Sequence, residues 1–110
     1  MEKFVKGDVM VIPFPFSDLF AGKKRPALVI ASLPGEDIIL CQITSRTKVD
    51  KFTVPLTFDD FQNGSLPIKN FIRASRIFTA AKNIIIKKAG TIKKTKSDAV
   101  ANILVELFST

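Results

Sequence analysis

The sequence predicts a mainly β fold with one C-terminal helix, in which short strands form a compact barrel or a strongly bent sheet. Short apolar segments separated by turn signals run through most of the chain, a pattern typical of small β domains. Near the end of the chain, apolar residues recur at the spacing of a helix. A length of 110 residues suits one domain with one core, and we expect residues 1–110 to form it.

The predicted strands are residues 9–16, 26–32, 38–44, 52–56 and 71–80. Pro13 and Pro15 place the far end of the first strand at a sheet edge, because proline cannot donate to the ladder. The second and third strands pair across the turn signal at residues 34–37. Residues 58–67 are expected to form a loop with a turn at Asn63-Gly64, and residues 83–86 a strand or a turn.

One helix is predicted at the C-terminus. Thr95 with Asp98 resembles a capping pair, and Ser97 is an alternative N-cap. The helix should lie against the sheet through a single apolar stripe. The residues of this stripe are Val100, Ile103, Leu104, Leu107 and Phe108.

Composition excludes several kinds of chemistry. The chain has no histidine, which removes histidine acid–base catalysis, Ser-His-Asp and Cys-His arrangements and the usual zinc sites. Its one cysteine, Cys41, lies in an apolar run and is interpreted as a buried, inert thiol. The sequence has no signal-peptide layout and no apolar run long enough to span a membrane, so we expect a cytoplasmic protein.

Positive charge is unevenly distributed. The net charge is +7, and no Asp or Glu occurs from residue 61 to residue 97. A surface of this kind attracts polyanions, most often nucleic acid, or an acidic protein partner. The cations of this stretch are Lys69, Arg73, Arg76, Lys82, Lys87, Lys88, Lys93, Lys94 and Lys96.

The segment Lys23-Lys24-Arg25-Pro26 joins a loop to the second predicted strand. Proline biases the residue before it toward an extended conformation, so Arg25 should be held at the start of the strand. A fixed guanidinium beside two lysines is suited to bind a phosphate.

Several motifs follow one another in a characteristic order and spacing. They are Gly7-Asp8-Val9, Pro-Phe-Pro-Phe-Ser-Asp at 13–18, Lys-Arg-Pro-Ala-Leu-Val-Ile at 24–30, Ile43-Thr44-Ser45, Phe71-Ile72-Arg73, and residues 82–92. Together they resemble the MazF/PemK family of toxin ribonucleases. The resemblance implies a small SH3-like barrel of the CcdB/MazF/PemK kind with a C-terminal helix. It also implies a homodimer that belongs to a toxin–antitoxin module and cleaves single-stranded RNA at short motifs, without a metal or another cofactor.

By the same resemblance, Arg25 matches the catalytic arginine of the family and Thr44 its catalytic threonine, with the neighbouring Ser45 as an alternative. Both suit the chemistry, because RNA supplies its own 2′-hydroxyl nucleophile and the protein must stabilise negative charge on the phosphate oxygens. The general base is not identified: Lys24 occupies the position of a carboxylate in some relatives, and Asp18 is a candidate because it lies in the same loop. The candidate RNA-binding residues are Lys23, Lys24, Ser45, Lys48, Lys51, Lys69, Arg73, Arg76, Phe16 and Phe20.

Two other functions are compatible with this sequence. The first is a gyrase-binding toxin like CcdB, which acts through its C-terminal helix and does not need Arg25. The second is a barrel that binds RNA without cleaving it. An acidic antitoxin segment that folds on binding is the expected protein partner.

Overall fold

An antiparallel sheet forms the centre of the computed structural model, which describes residues 4–13, 24–46 and 50–110. In this part of the chain the sheet has seven strands in the order β4-β6-β3-β2-β1-β7-β5 and curls into a partial barrel. One helix, α1 (Lys94–Leu107), follows the last strand. The strands are β1 (Asp8–Pro13), β2 (Lys24–Ser32), β3 (Asp37–Thr44), β4 (Thr53–Leu56), β5 (Phe61–Gly64), β6 (Asn70–Ala81) and β7 (Lys87–Ile92).

Apolar side chains cover both faces of this sheet, since successive residues of a strand point to opposite sides. The first cluster contains Val9, Leu28 and Cys41, together with Val100 of α1. The second contains Met10, Ile12, Ala27, Val29 and Leu40, all on the other face. Cys41 is buried as predicted, and its burial raises the pKa of the thiol to about 12.

The helix is confirmed, but its predicted start is wrong. α1 begins at Lys94 with Lys93 as N-cap, so neither Thr95 nor Ser97 caps it through a side chain. Asp98 instead pairs with Lys94 one turn away, at 3.0 Å. Of the predicted stripe, Val100 is buried and Ile103 and Leu104 pack against the first cluster. Phe108 lies just beyond the last helical residue and is largely exposed.

Two strands were not expected from the sequence. Residues 58–67 contain a 3₁₀ helix (Phe58–Asp60) followed by β5, and residues 83–86 overlap a second 3₁₀ helix (Lys82–Ile84) that precedes β7. Gly64 of β5 pairs with Gly90 of β7. A Cβ on Gly64 would lie 2.2 Å from the Ala89 carbonyl oxygen, so the two backbones approach more closely than side chains allow. Residues 14–16, predicted to extend β1, lie outside the described residues.

The Gly7-Asp8 motif has a structural explanation. Gly7 has a φ of +99°, a conformation that glycine adopts easily. Asp8 is 1% exposed, and its carboxylate accepts hydrogen bonds from the Val5 N–H at 3.0 Å and from the Thr91 hydroxyl at 2.9 Å. Lys88 adds an ion pair at 3.4 Å. Asp8 therefore joins the start of β1 to β7.

Candidate functional site

A groove opens where β2 and β3 separate. The ladder between these strands ends at the pair Ala27–Gln42. β2 nevertheless continues along β1 to Lys24, and β3 continues along β6 to Thr44. Pro26 has no N–H with which to extend the ladder toward β3. The gap forms a groove of about 260 Å³.

Arg25 and Thr44 both line this groove. Continuing the β2–β3 pairing by two residues beyond Ala27–Gln42 sets Arg25 opposite Thr44. Alternation along each strand puts them on the same face of the sheet as Ala27 and Leu40. Arg25 is half-buried, and within the described ranges its guanidinium has no carboxylate or hydrogen-bond partner.

The hydroxyl of Thr44 is oriented by the turn that follows β3. Its Oγ1 accepts a hydrogen bond from the Arg46 N–H at 3.2 Å. A hydroxyl that accepts in this way still has its own proton to donate. Thr44 can therefore donate to an anion in the groove while the backbone holds its oxygen.

The rest of the groove lining comes from the segment just before β6 and from the first residue of that strand. Its residues are Leu66, Pro67, Ile68 and Asn70. Asn70 is 5% exposed, and its Nδ2 donates to the Ile68 carbonyl oxygen at 2.7 Å. Among the described lining residues, Lys24 and Arg25 are cations and none is acidic, so the groove favours anions.

The remaining predicted site residues divide into three groups. Lys24 and Ser45 line the groove beside Arg25 and Thr44. Lys51, Lys69, Arg73 and Arg76 lie elsewhere on the surface or in the sheet, so the structure does not bring them into this groove. Lys23, Lys48, Phe16 and Phe20, and the candidate base Asp18, lie outside the described residues. The roles of all three groups stay predictions.

Arg73 borders an irregularity in β6, and Arg76 lies within it. Residues 74–76 have no partner on β3, because the pairing passes from Cys41–Ile77 to Gln42–Arg73. Arg76 is exposed in this bulge. The Nε of Arg73 and the Oε1 of its neighbour Gln42 are buried without a hydrogen-bond partner among the described residues.

Lys51 and Lys69 each lie close to an aromatic ring. The Nζ of Lys51 is 5.1 Å from the centre of the Phe52 ring, and that of Lys69 is 5.5 Å from the Phe71 ring. Both distances are in the range of cation–π contacts. Both side chains therefore have an intramolecular role, besides the RNA contact expected from the sequence.

Sequence reasoning missed the part of the groove lined by Leu66, Pro67, Ile68 and Asn70. Its one sequence signal is an isoleucine between a proline and a lysine in an expected loop, which is weak because single exposed apolar residues are common. In the described ranges no group of three or more His, Cys, Asp or Glu side chains is placed to hold a metal ion. No described helix is long and apolar enough to cross a membrane.

Comparison with known proteins identifies the family. The family described as "PemK-like, MazF-like toxin of type II toxin-antitoxin system" matches residues 5–108. The chain belongs to this family. The expected resemblance is thus confirmed over nearly the whole length of this PemK-like toxin. A search of curated proteins found no match.

Solved structures similar to this PemK-like toxin confirm its fold class. One is described as an endoribonuclease from a mycobacterial species (17% identity, TM-score 0.75, covering 99% of this chain and 94% of that one). Another is the MazE–MazF complex from Deinococcus radiodurans (18% identity, TM-score 0.76, covering 98% and 97%). A third is a mycobacterial endoribonuclease in complex with its cognate antitoxin (14% identity, TM-score 0.75, covering 97% and 96%).

Proposed function

We propose that this PemK-like toxin is a sequence-specific endoribonuclease that cleaves single-stranded RNA, including mRNA, by attack of the 2′-hydroxyl on the adjacent phosphorus. The observation that carries the proposal is the groove that both Arg25 and Thr44 line, with no carboxylate among its described lining residues. The family of the chain supports it, as do the structures of the same fold that are described as endoribonucleases.

The proposed chemistry needs alignment and charge stabilisation. A phosphate in the groove would bring its non-bridging oxygens to the guanidinium of Arg25, which offers two parallel donors. Thr44 would add a hydroxyl donor from the neighbouring strand. As the 2′-oxygen attacks, charge grows on these oxygens, and donors already in place stabilise it most in the transition state. The 5′-oxygen leaves with a proton, and the products are a 2′,3′-cyclic phosphate and a 5′-hydroxyl.

None of these steps needs a metal ion or another cofactor. The proton of the 2′-hydroxyl requires an acceptor, and no carboxylate is among the described residues that line the groove. Asp18 remains the candidate base from the sequence. Lys24 is assigned to phosphate binding because it lies in the groove as an exposed cation.

The proposal extends to partners and location. Two similar structures are complexes with an antitoxin, and we extend this to an acidic antitoxin segment that occupies the basic groove of this chain. The proposed active form is a cytoplasmic homodimer in which residues 1–110 act as one toxin domain. A gyrase-binding toxin would not require the convergence of Arg25 and Thr44, so this alternative is not favoured.

The proposal is tested by incubating the purified protein with a mixed-sequence single-stranded RNA in EDTA. We expect cleavage at a short recurrent motif, with a 2′,3′-cyclic phosphate or a 3′-phosphate on one product and a 5′-hydroxyl on the other. Mass spectrometry of the fragments identifies these ends. Uncut RNA under all conditions, or products with a 5′-phosphate, would contradict the mechanism.

Replacing Thr44 by valine removes the hydroxyl and keeps the β-branched shape. A hydrogen bond to a charged group is worth about 1.5–3 kcal/mol, so cleavage should slow roughly 10- to 100-fold. Single-turnover rates at saturating protein measure this effect. Thr44→Ser keeps the donor and should retain most of the activity, whereas a valine variant as fast as the wild type would exclude Thr44 from the transition state.

A further inference from the structure

The part of the groove lining that comes from the segment before β6 is apolar. We call residues Leu66, Pro67 and Ile68 the apolar shelf. All three line the groove together with Arg25 and Thr44. Ile68 is 63% exposed, so its side chain is accessible to a ligand in the groove.

The apolar shelf is anchored on both sides of its exposed residue. Leu66 packs against the first core cluster. Asn70, which is almost fully buried, donates from its Nδ2 to the Ile68 carbonyl oxygen at 2.7 Å and so ties the shelf to the start of β6. Pro67 further restricts the backbone before Ile68. An apolar side chain presented on a constrained backbone is suited to bind a flat ligand at low entropic cost.

The two walls of the groove match the two parts of a nucleotide. The β2 wall supplies the cations Lys24 and Arg25, which suit a phosphate. The apolar shelf supplies the kind of surface that contacts the face of a base, since apolar as well as aromatic side chains hold bases in this way. The chain has no Trp or Tyr, so such contacts must come from phenylalanine, arginine or aliphatic residues.

We propose that Ile68, supported by Pro67, binds the face of the nucleobase next to the scissile phosphate. This inference rests on the proposed function and adds a substrate contact to it. A side chain that contacts the face of a base distinguishes nucleotides by whether a base is present and by its size. It hardly distinguishes them by the hydrogen-bonding groups on the edge of the base. Ile68 is thus a substrate-binding residue that positions the nucleotide, whereas Arg25 and Thr44 act on its phosphate.

The test is a double-mutant cycle between the protein and the RNA. The protein variants are the wild type, Ile68→Thr and, as a control, Val105→Thr; Val105 is 66% exposed on α1 and does not line the groove. The RNA is a short oligonucleotide containing the cleaved motif, either intact or abasic on one side of the cleaved bond. Binding is measured on RNA with a 2′-O-methyl group at the cleavage site, so that the affinity is read without turnover.

For the wild type and for Val105→Thr, removing the base should weaken binding about tenfold, as expected for one stacked base. Ile68→Thr should bind intact RNA about as weakly as the wild type binds abasic RNA, with little further loss when the base is also removed. If removing the base weakens binding equally in Ile68→Thr and in the wild type, on whichever side of the cleaved bond the base is removed, the proposal is overturned. If unmodified RNA stays uncut but its binding shows this coupling between Ile68 and the base, the result would contradict the proposed function and support the base-binding role of the apolar shelf.

Discussion

Replacing Arg25 by alanine is expected to lower the rate of RNA cleavage at least about 10²–10³-fold, the usual loss when one preorganised donor to a transition-state oxyanion is removed. The loss of rate in Arg25→Ala should exceed this single-donor value, because the guanidinium offers two donors and a full charge to the same phosphate. The fold should be preserved, since the side chain is half-buried and has no partner among the described residues. Single-turnover cleavage in EDTA and a thermal melt measure the two quantities.

Two controls separate charge from geometry. Arg25→Lys keeps the charge but loses the paired donors, so it should recover only a small part of the activity. Lys93→Ala removes one exposed positive charge at the start of α1, away from the groove, and should cleave nearly as fast as the wild type. Cleavage by Arg25→Ala at the wild-type rate would remove this residue from the mechanism.

Replacing Gly64 by alanine should destabilise the fold severely. The new Cβ would lie 2.2 Å from the Ala89 carbonyl oxygen and 2.6 Å from the Gly90 Cα, so two backbones would have to separate. The φ of +67° adds a second penalty for any residue with a Cβ. Together these effects predict a loss of roughly 2–5 kcal/mol in the free energy of unfolding. The corresponding fall in Tm is about 10 °C or more, measurable by circular dichroism.

Gly35 provides a matched control for this prediction. It also has a positive φ, +93°, but a Cβ there would meet nothing within 4 Å. Gly35→Ala should therefore show only the conformational penalty of about 1–2 kcal/mol. Similar losses in the two variants would mean that the contact between β5 and β7 is not the dominant constraint on Gly64.

The strands that could be predicted are those with an apolar signal of their own. β2, β3, β4 and β6 appear within one or two residues of the expected bounds, since β-branched residues fill them and turn residues separate them. β5 and β7 were missed because β5 ends in the turn signal Asn63-Gly64, and β7 contains two lysines and a glycine. Both strands are held by backbone pairing, β5 to β7 and β7 to β1. A contact between residues 64 and 90 leaves no local trace in the sequence. The helix start was misplaced because Lys93 caps through its backbone position alone.

The candidate site was predictable to a similar degree. The position of Arg25 before a proline and of Thr44 at the end of a strand, together with the family resemblance, pointed to both residues. Their meeting in one groove depends on where the β2–β3 ladder stops, which the sequence does not state. The apolar shelf was not predictable, because its position at the groove depends on the pairing of the following strand, β6, with β3 and β4.

The presence of apolar side chains on both faces of the sheet has a consequence for folding. In most antiparallel sheets a slip of one residue carries the hydrophobic set into water, and this penalty fixes the alignment of the strands. In this sheet, a one-residue slip of β1, β2 or β3 would replace one row of buried apolar side chains by another. The hydrophobic pattern therefore does little to fix the register of these strands. Correct alignment must instead be enforced by features that tolerate no displacement, such as the buried carboxylate of Asp8 with its fixed donors. During folding, this chain is therefore at greater risk from misaligned strands than from a failure of hydrophobic collapse.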